Sequence, residues 1–318
     1  MSAETKIVTL QDDYHVWTRR EGQGPIKMLL LHGGPGMTHE YLEPFSDYIK
    51  KHPEVEIIYY DQLGSYFSDQ PNDSTLWNIP RFIDEIEEVR KAWHLEQFYL
   101  YGQSFGGLFA LEYAASQYGK HVKAVIDSNM VDSYQDYAKY INKYRDTMDP
   151  DDVAYMKKIE AAGKYDDPHY GELLMKLYHR CICRIPEWPD AVKRTFDHLN
   201  DQVYVTLQGP TEFNITGSCK DWTIRDRLKK ILVPTLVLGA KYDSMNPEEI
   251  KAVAKRLPKG EAHICPNGSH FSIFDDQEDY FNAITSFIER VEGKKYNTFP
   301  YLRASELCSL ALFLTKKL

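Results

Sequence analysis

The stretch Phe98-Tyr-Leu-Tyr-Gly-Gln-Ser-Phe-Gly-Gly107 restricts what this chain can fold into more than any other. A short apolar run leads into Gly-x-Ser-x-Gly, and Leu108, Leu111 and Ala114 then recur at helical spacing. A strand that turns sharply into a helix needs small residues two positions either side of the apex. Gly102 and Gly106 supply them, and the turn lifts Ser104 clear of its neighbours. A serine hydroxyl is a weak nucleophile until a base takes its proton. The rest of the chain must therefore be searched for a base, an acid that orients it, and donors for an oxyanion.

The surrounding pattern is one of strands alternating with helices. Lys6–Leu10 and Tyr14–Arg20 flank an Asp-Asp turn and predict an opening hairpin. Ile26–Leu31, Val55–Tyr60 and Val122–Asp127 read as buried strands. Residues 79–93 place Phe82, Ile83, Ile86, Val89 and Trp93 on one helical face. From Met130 to Trp222 strand-like runs give way to helical spacing over 137–148, 153–162 and 173–183. Strands resume over 231–240 and 262–265, and a helix over 277–291 closes the pattern. The expectation is an α/β fold with a mostly parallel sheet covered on both faces. A helical cap over 130–222 would be inserted between core segments 1–129 and 223–292, for which 318 residues are ample. The tail, 293–318, does not follow from the fold. It is basic and contains an apolar stretch, Leu307–Leu314, far too short to span a membrane. A docked terminal helix, an interaction segment and a non-native extension are all open for it.

Two loops after late strands supply the missing partners. Gly239-Ala-Lys-Tyr-Asp243 ends a strand with an acid, and Cys265-Pro-Asn-Gly-Ser-His270 puts a histidine in the loop after the last strand. The chain order Ser104, Asp243, His270 is similar to that of the α/β hydrolases, whose ligands sit at the carboxyl ends of the strands. His270 would take the proton from Ser104, and Asp243 would hold the imidazole in the right tautomer. Singly, each has a plainer reading. Gly-x-Ser-x-Gly recurs by chance, a loop histidine is one of eleven, and an acid after a strand is often a turn residue. Order and position together favour the triad. His32-Gly-Gly-Pro-Gly36 follows a buried strand where this architecture draws its second oxyanion donor. The backbone N–H groups of Gly34 and Phe105 would face the developing charge, and His32 is read as structural.

The motifs His32-Gly-Gly-Pro-Gly, Tyr60-Asp-Gln-Leu-Gly64, Gly-Gln-Ser-Phe-Gly-Gly and Gly209-Pro-Thr-Glu-Phe213 together resemble the proline iminopeptidase family of serine aminopeptidases, including the tricorn-interacting type. The likeness covers about residues 25–290 and extends through the cap to Trp222. It implies an α/β-hydrolase fold and release of an N-terminal residue, often proline, through an aminoacyl-enzyme. It also implies that Glu212 binds the substrate's free amino or imino group. A protonated amine entering a partly dry pocket needs a carboxylate partner, although a helix cap or a surface position would also account for a glutamate here. One departure stands out. The tricorn-interacting type carries a second amine-binding glutamate directly after the triad aspartate, where this chain has Ser244. Ser244 offers a hydrogen bond but no charge, and Glu248 and Glu249 are expected to begin a helix after Pro247.

Composition excludes several other classes. A net charge of -9 and a pI near 5.7 argue against nucleic acid or an anionic membrane as partner. The expected partners are short peptides or amino-acid amides with a free N-terminus. Five scattered cysteines do not form a disulfide framework, and Cys181 and Cys183 are read as inert cap residues. No His-Glu-x-x-His or paired-cysteine signature appears, so no metal and no cofactor are expected. The first residues carry no basic-then-apolar signal. The sequon at Asn267 lies three residues from His270, where a glycan would obstruct, and a cytoplasmic protein is expected. Oligomeric state is left open. Three functional readings remain. The leading one is a metal-independent serine aminopeptidase. An esterase, amidase or lactonase on the same scaffold is favoured by Ser244. A binding protein that uses the pocket without turnover is opposed by the intact triad.

Overall fold

The computed structural model describes residues 2–295. Eight strands form one sheet: β1 (Ala3–Thr9), β2 (His15–Glu21), β3 (Ile26–Leu31), β4 (Val55–Tyr60), β5 (Phe98–Gln103), β6 (Val122–Ser128), β7 (Thr235–Ala240) and β8 (Gly260–Cys265), in the spatial order β1-β2-β4-β3-β5-β6-β7-β8. β1, β2 and β4 pair antiparallel, and every pair from β4 to β8 is parallel. The near-continuous apolar runs have their cause here. β4, β5 and β7 are buried at every position, because helices cover both faces of a parallel sheet. The edge strand β1 is largely exposed and alternates instead. Pro234, expected inside the seventh strand, precedes it, where its missing N–H leaves no gap in the ladder.

The helices are α1 (Pro44–Lys51), α2 (Ile79–Ala92), α3 (Phe105–Ala115), α4 (Tyr134–Arg145), α5 (Pro150–Ala162), α6 (Pro168–Cys181), α7 (Asp190–Asp197), α8 (Asp201–Leu207), α9 (Pro247–Arg256), α10 (Ser272–Asp275) and α11 (Gln277–Glu292). α4, α5 and α6 each begin three to five residues before the apolar periodicity does. Their starts are set by caps. Ser133 accepts from Asp136 N–H, Asp149 from Asp151 N–H and Asp167 from Tyr170 N–H, with proline opening α5 and α6. α7 and α8 are too short to show periodicity, and the sequence pattern does not announce them. The segment 130–222 thus carries α4–α8 and none of the eight strands. Residues 296–318, including Leu307–Leu314, lie outside the described residues.

Because β3 to β8 run parallel, their carboxyl ends face one side of the sheet. Gly33 and Gly34 follow β3, Ser104 follows β5, Asn129 follows β6, Asp243 follows β7 and His270 follows β8. Residues scattered from position 33 to position 270 of the chain therefore share one rim.

Asp127, on β6 behind this rim, is a liability to the fold. It is fully buried, and neither carboxylate oxygen has a partner among the described residues. Burial, with Asp132 adding to it, pushes its pKa well above the ordinary value. The folded state therefore keeps this proton where the unfolded chain, with a pKa of about 3.9, releases it. Stability falls as pH rises from there towards the folded value, by about 1.4 kcal/mol per pH unit. Asp127→Asn is expected to remove this slope and to raise the urea midpoint at pH 7 relative to wild type, with little change at pH 4.

Candidate active site

Ser104 sits at the apex between β5 and α3 with φ 54° and ψ -125°. A non-glycine residue holds this conformation only where its surroundings enforce it. Both flanking glycines are sterically required. A Cβ on Gly102 would lie 2.0 Å from Gly106 O, and one on Gly106 would lie 2.2 Å from Leu31 O. Phe105 opens α3, so its N–H has no intrahelical partner. Gly34, with φ 113° and a cis bond to Pro35, lines the same cavity as Ser104. The loop behind it is pinned by His32, which is fully buried. Its Nδ1–H donates to Gly33 O at 2.9 Å, and its Nε2 accepts from Gln62 N–H at 3.3 Å. Accepting at Nε2 requires a neutral ring, and burial lowers the His32 pKa accordingly.

His270 Nδ1–H donates to Asp243 Oδ1 at 2.8 Å, and both side chains are buried. With Nδ1 engaged by Asp243, Nε2 is the ring nitrogen through which a neutral imidazole can accept a proton from a serine hydroxyl. Ser104 and His270 line one cavity of about 250 Å³. The cap holds the histidine loop in place: His270 N–H donates to Cys181 O at 3.0 Å and Phe271 N–H to Ile182 O at 2.7 Å. Cys181 and Cys183 are buried free thiols whose pKa values burial raises. Gln103 ties the site together from within the elbow. Its Nε2 donates to His270 O at 3.0 Å, its Oε1 accepts from Tyr41 OH at 2.9 Å, and that hydroxyl accepts Gly33 N–H at 2.6 Å.

Asp243 has more partners than the sequence suggested. Oδ1 also accepts Met245 N–H at 2.9 Å, and Oδ2 accepts Asn129 Nδ2 at 2.6 Å. Asn129 follows β6 in the left-handed region, with φ 56°. An asparagine directly after a strand was the available signal, because asparagine tolerates that conformation. What it bonds to was not legible.

Glu212 faces the same cavity from the segment after α8. Oε1 accepts Tyr204 OH at 2.5 Å, and Oε2 accepts Tyr137 OH. Burial pushes its pKa up to about 7, against a smaller lowering by His270. Ser244 is buried with its hydroxyl 3.4 Å from Asp243 Oδ1 and does not line the cavity. Glu248 pairs with Lys251, and Glu249 lies 3.5 Å from Arg256. Neither lines the cavity. Beyond Glu212 the wall is mainly apolar, with Leu174, Tyr178, Ile182, Phe196, Leu199 and Phe271, while Thr211 and the exposed Asp201 at the start of α8 also line it. Most of it comes from α6, α7 and the residues before α8, so the cap rather than the sheet shapes the pocket.

A family profile described as alpha/beta hydrolase fold matches residues 27–277. The chain is 44% identical over 297 residues to a proline iminopeptidase of Elizabethkingia meningoseptica, covering 92% of this chain and 99% of the relative. A proline iminopeptidase of Saccharolobus solfataricus is 31% identical over 266 residues, covering 83% and 85%. Among solved structures, VinJ superposes with a TM-score of 0.85 at 28% identity, covering 91% of this chain and 98% of its own. A proline iminopeptidase of Mycobacterium smegmatis superposes with a TM-score of 0.81 at 26% identity, covering 91% and 99%.

Proposed function

The chain belongs to the proline iminopeptidase family of α/β hydrolases, and from that premise we propose that it is a serine aminopeptidase releasing an N-terminal residue, proline favoured, from short peptides or amino-acid amides. The observation that carries this reading is Glu212, a carboxylate held between two tyrosine hydroxyls and facing the cavity that Ser104 and His270 share. A hydrolase for neutral acyl groups has no use for a carboxylate withdrawn from water into a mainly apolar wall, because desolvating it costs free energy unless a cation comes to meet it. Asp201, the other carboxylate of the lining, is exposed to solvent.

In this reading the substrate's protonated imino group pairs with Glu212, and the apolar cap wall takes the pyrrolidine ring. Ser104 Oγ attacks the carbonyl carbon while His270 Nε2 takes its proton. The carbonyl oxygen becomes an oxyanion facing the N–H groups of Gly34 and Phe105. When the tetrahedral intermediate collapses, the C–N bond breaks and His270 gives its proton to the leaving amine. Water, deprotonated by His270, then cleaves the aminoacyl ester and frees Ser104. Asp243 keeps Nδ1 protonated throughout. The partners are peptides with a free N-terminus. Among the described residues no helix is long and apolar enough to cross a membrane, and a cytoplasmic location completes the proposal.

A matched panel of prolyl, alanyl and leucyl anilides, free and N-acetylated, tests it. The expected result is prolyl preference with turnover lost on acetylation. Equal or better turnover of acetylated substrates would remove Glu212 as an amine anchor and put an esterase or amidase in its place.

A further inference from the structure

We propose that Asn129 is a positioning residue for the triad acid, and that a directed chain of hydroxyl groups running from β5 through α11 aims its amide at Asp243. The proposal rests on the Ser104–His270–Asp243 chemistry stated above. Asp243 is fully buried, so each of its oxygens needs a donor. Oδ1 is served by His270 and Met245, whereas Oδ2 takes its bond from Asn129 Nδ2 at 2.6 Å. Without that bond one oxygen of a buried carboxylate is left unpaired, and only the contacts to Oδ1 hold the group's orientation towards His270.

The amide has only one workable orientation. Flipped, it would set Oδ1 against Asp243 Oδ2, two acceptors in contact. Ser128 Oγ lies 2.7 Å from Asn129 Oδ1 and donates to it, which holds the NH2 group on the Asp243 side. Ser128 Oγ is in turn 2.8 Å from Tyr280 OH, and Tyr280 OH is 2.6 Å from Tyr101 OH. Once Ser128 donates to Asn129, Tyr280 donates to Ser128 and Tyr101 to Tyr280. Every proton in the chain then points towards the carboxylate, and each bond polarises the next. Tyr101 lies on the nucleophile's own strand and Tyr280 on α11, so residues far apart in the chain fix the acid relative to the elbow.

Backbone conformation alone does not explain asparagine here. At φ 56° glycine is the less strained residue. A position that served only the turn would be met best by glycine, and what asparagine adds is a donor.

Asn129→Gly therefore separates the two roles, and Asn129→Asp supplies a second, independent readout. The groups facing Asp243 are His270, Tyr140 from α4 and Cys181 from α6, with Glu212 acting on His270. None is a fixed cation, so an added carboxyl group at position 129 has no neutralising partner except a proton. Assayed on prolyl anilide, Asn129→Gly is expected to keep KM while kcat falls roughly 10- to 100-fold, the equivalent of one hydrogen bond to a charged group. Its thermal midpoint is expected to fall because Asp243 Oδ2 loses its donor. In Asn129→Asp the two touching carboxyl groups share one proton. With that proton held, the introduced carboxyl group donates as asparagine did. Activity is therefore retained on the acid side and lost on a basic limb displaced to lower pH than in wild type. Tyr280→Phe is expected to lower kcat by a few-fold at unchanged KM. Wild-type kcat and pH profile in both position-129 variants would overturn the proposal. If Ser104→Ala is inactive in the same assay, that outcome removes only the role of Asn129. If Ser104→Ala is itself active, the underlying triad reading falls instead.

Discussion

Replacing Ser104 by alanine is expected to lower kcat on prolyl anilide by roughly 10⁴- to 10⁶-fold, as loss of the nucleophile does in other serine hydrolases. Binding should survive. Glu212 and the apolar wall remain, so the Kd of a prolyl peptide for Ser104→Ala should match the KM-derived affinity of wild type, where chemistry is slow. The two measurements separate chemistry from recognition. The residual rate is itself informative, because in the proposed mechanism Gly34 N–H and Phe105 N–H still face the carbonyl oxygen and should leave some acceleration over water. In wild type, a slowly deacylating aminoacyl ester should leave Ser104 carrying the acyl group, visible as a mass increase on the elbow peptide. Activity in Ser104→Ala within tenfold of wild type, or a label elsewhere, would remove Ser104 from the reaction.

Glu212→Gln carries the second large effect. Taking one partner from a buried ion pair costs about 3–5 kcal/mol, so kcat/KM for unblocked prolyl substrates should fall by roughly 10²- to 10³-fold. N-acetylated substrates, which bring no cation, should be unaffected or improved. The pKa of about 7 in the free pocket gives this prediction a pH signature. Only the carboxylate form pairs with a protonated amine. At pH 6 the group is mostly protonated, so binding of a prolyl peptide to Ser104→Ala should expel close to one proton. At pH 8 it should expel almost none. Calorimetry in two buffers of different ionisation enthalpy reads this directly, and the added Glu212→Gln change should abolish the release at pH 6.

The same raised pKa acts on stability. The unfolded chain ionises this group at about 4.3, and the folded protein only near 7. Ionisation therefore opposes folding as pH rises through that window, and the cost is complete above it, at roughly 4 kcal/mol. Glu212→Gln should accordingly melt higher than wild type at pH 8 and about the same at pH 4.5. On the proposed reading, Glu212 weakens the fold while serving the substrate, the ordinary exchange of stability for function.

The elbow was legible because its constraint is local. Gly102, Ser104 and Gly106 belong to one turn, and a Cβ on either glycine meets backbone within a few residues of chain or on the adjoining strand. Asp243 stands out because it follows the apolar run of β7, and His270 because it lies in the loop after the short last strand; parallel strands end on one side. The cap helices were read late by three to five residues, since periodicity marks where a helix packs whereas Ser133, Asp149 and Asp167 mark where it starts. Glu212 was reached through resemblance. Its environment was not, because Tyr137 stands 75 positions before it in the chain.

Local pattern was enough for the sheet, the elbow, and the placing of Ser104, Asp243 and His270 each after a strand, all of which depend on neighbours within a turn or a strand. It took the folded arrangement to bring Asn129 to Asp243 across 114 positions, to bring Ser128 to Tyr280 across 152, and to half-bury Glu212 among tyrosines. Those are matters of distance and dielectric. A hydrogen bond of 2.6 Å and a carboxyl pKa near 7 depend on which side chains converge and on how much water they exclude, and convergence is settled by packing rather than by spacing along the chain.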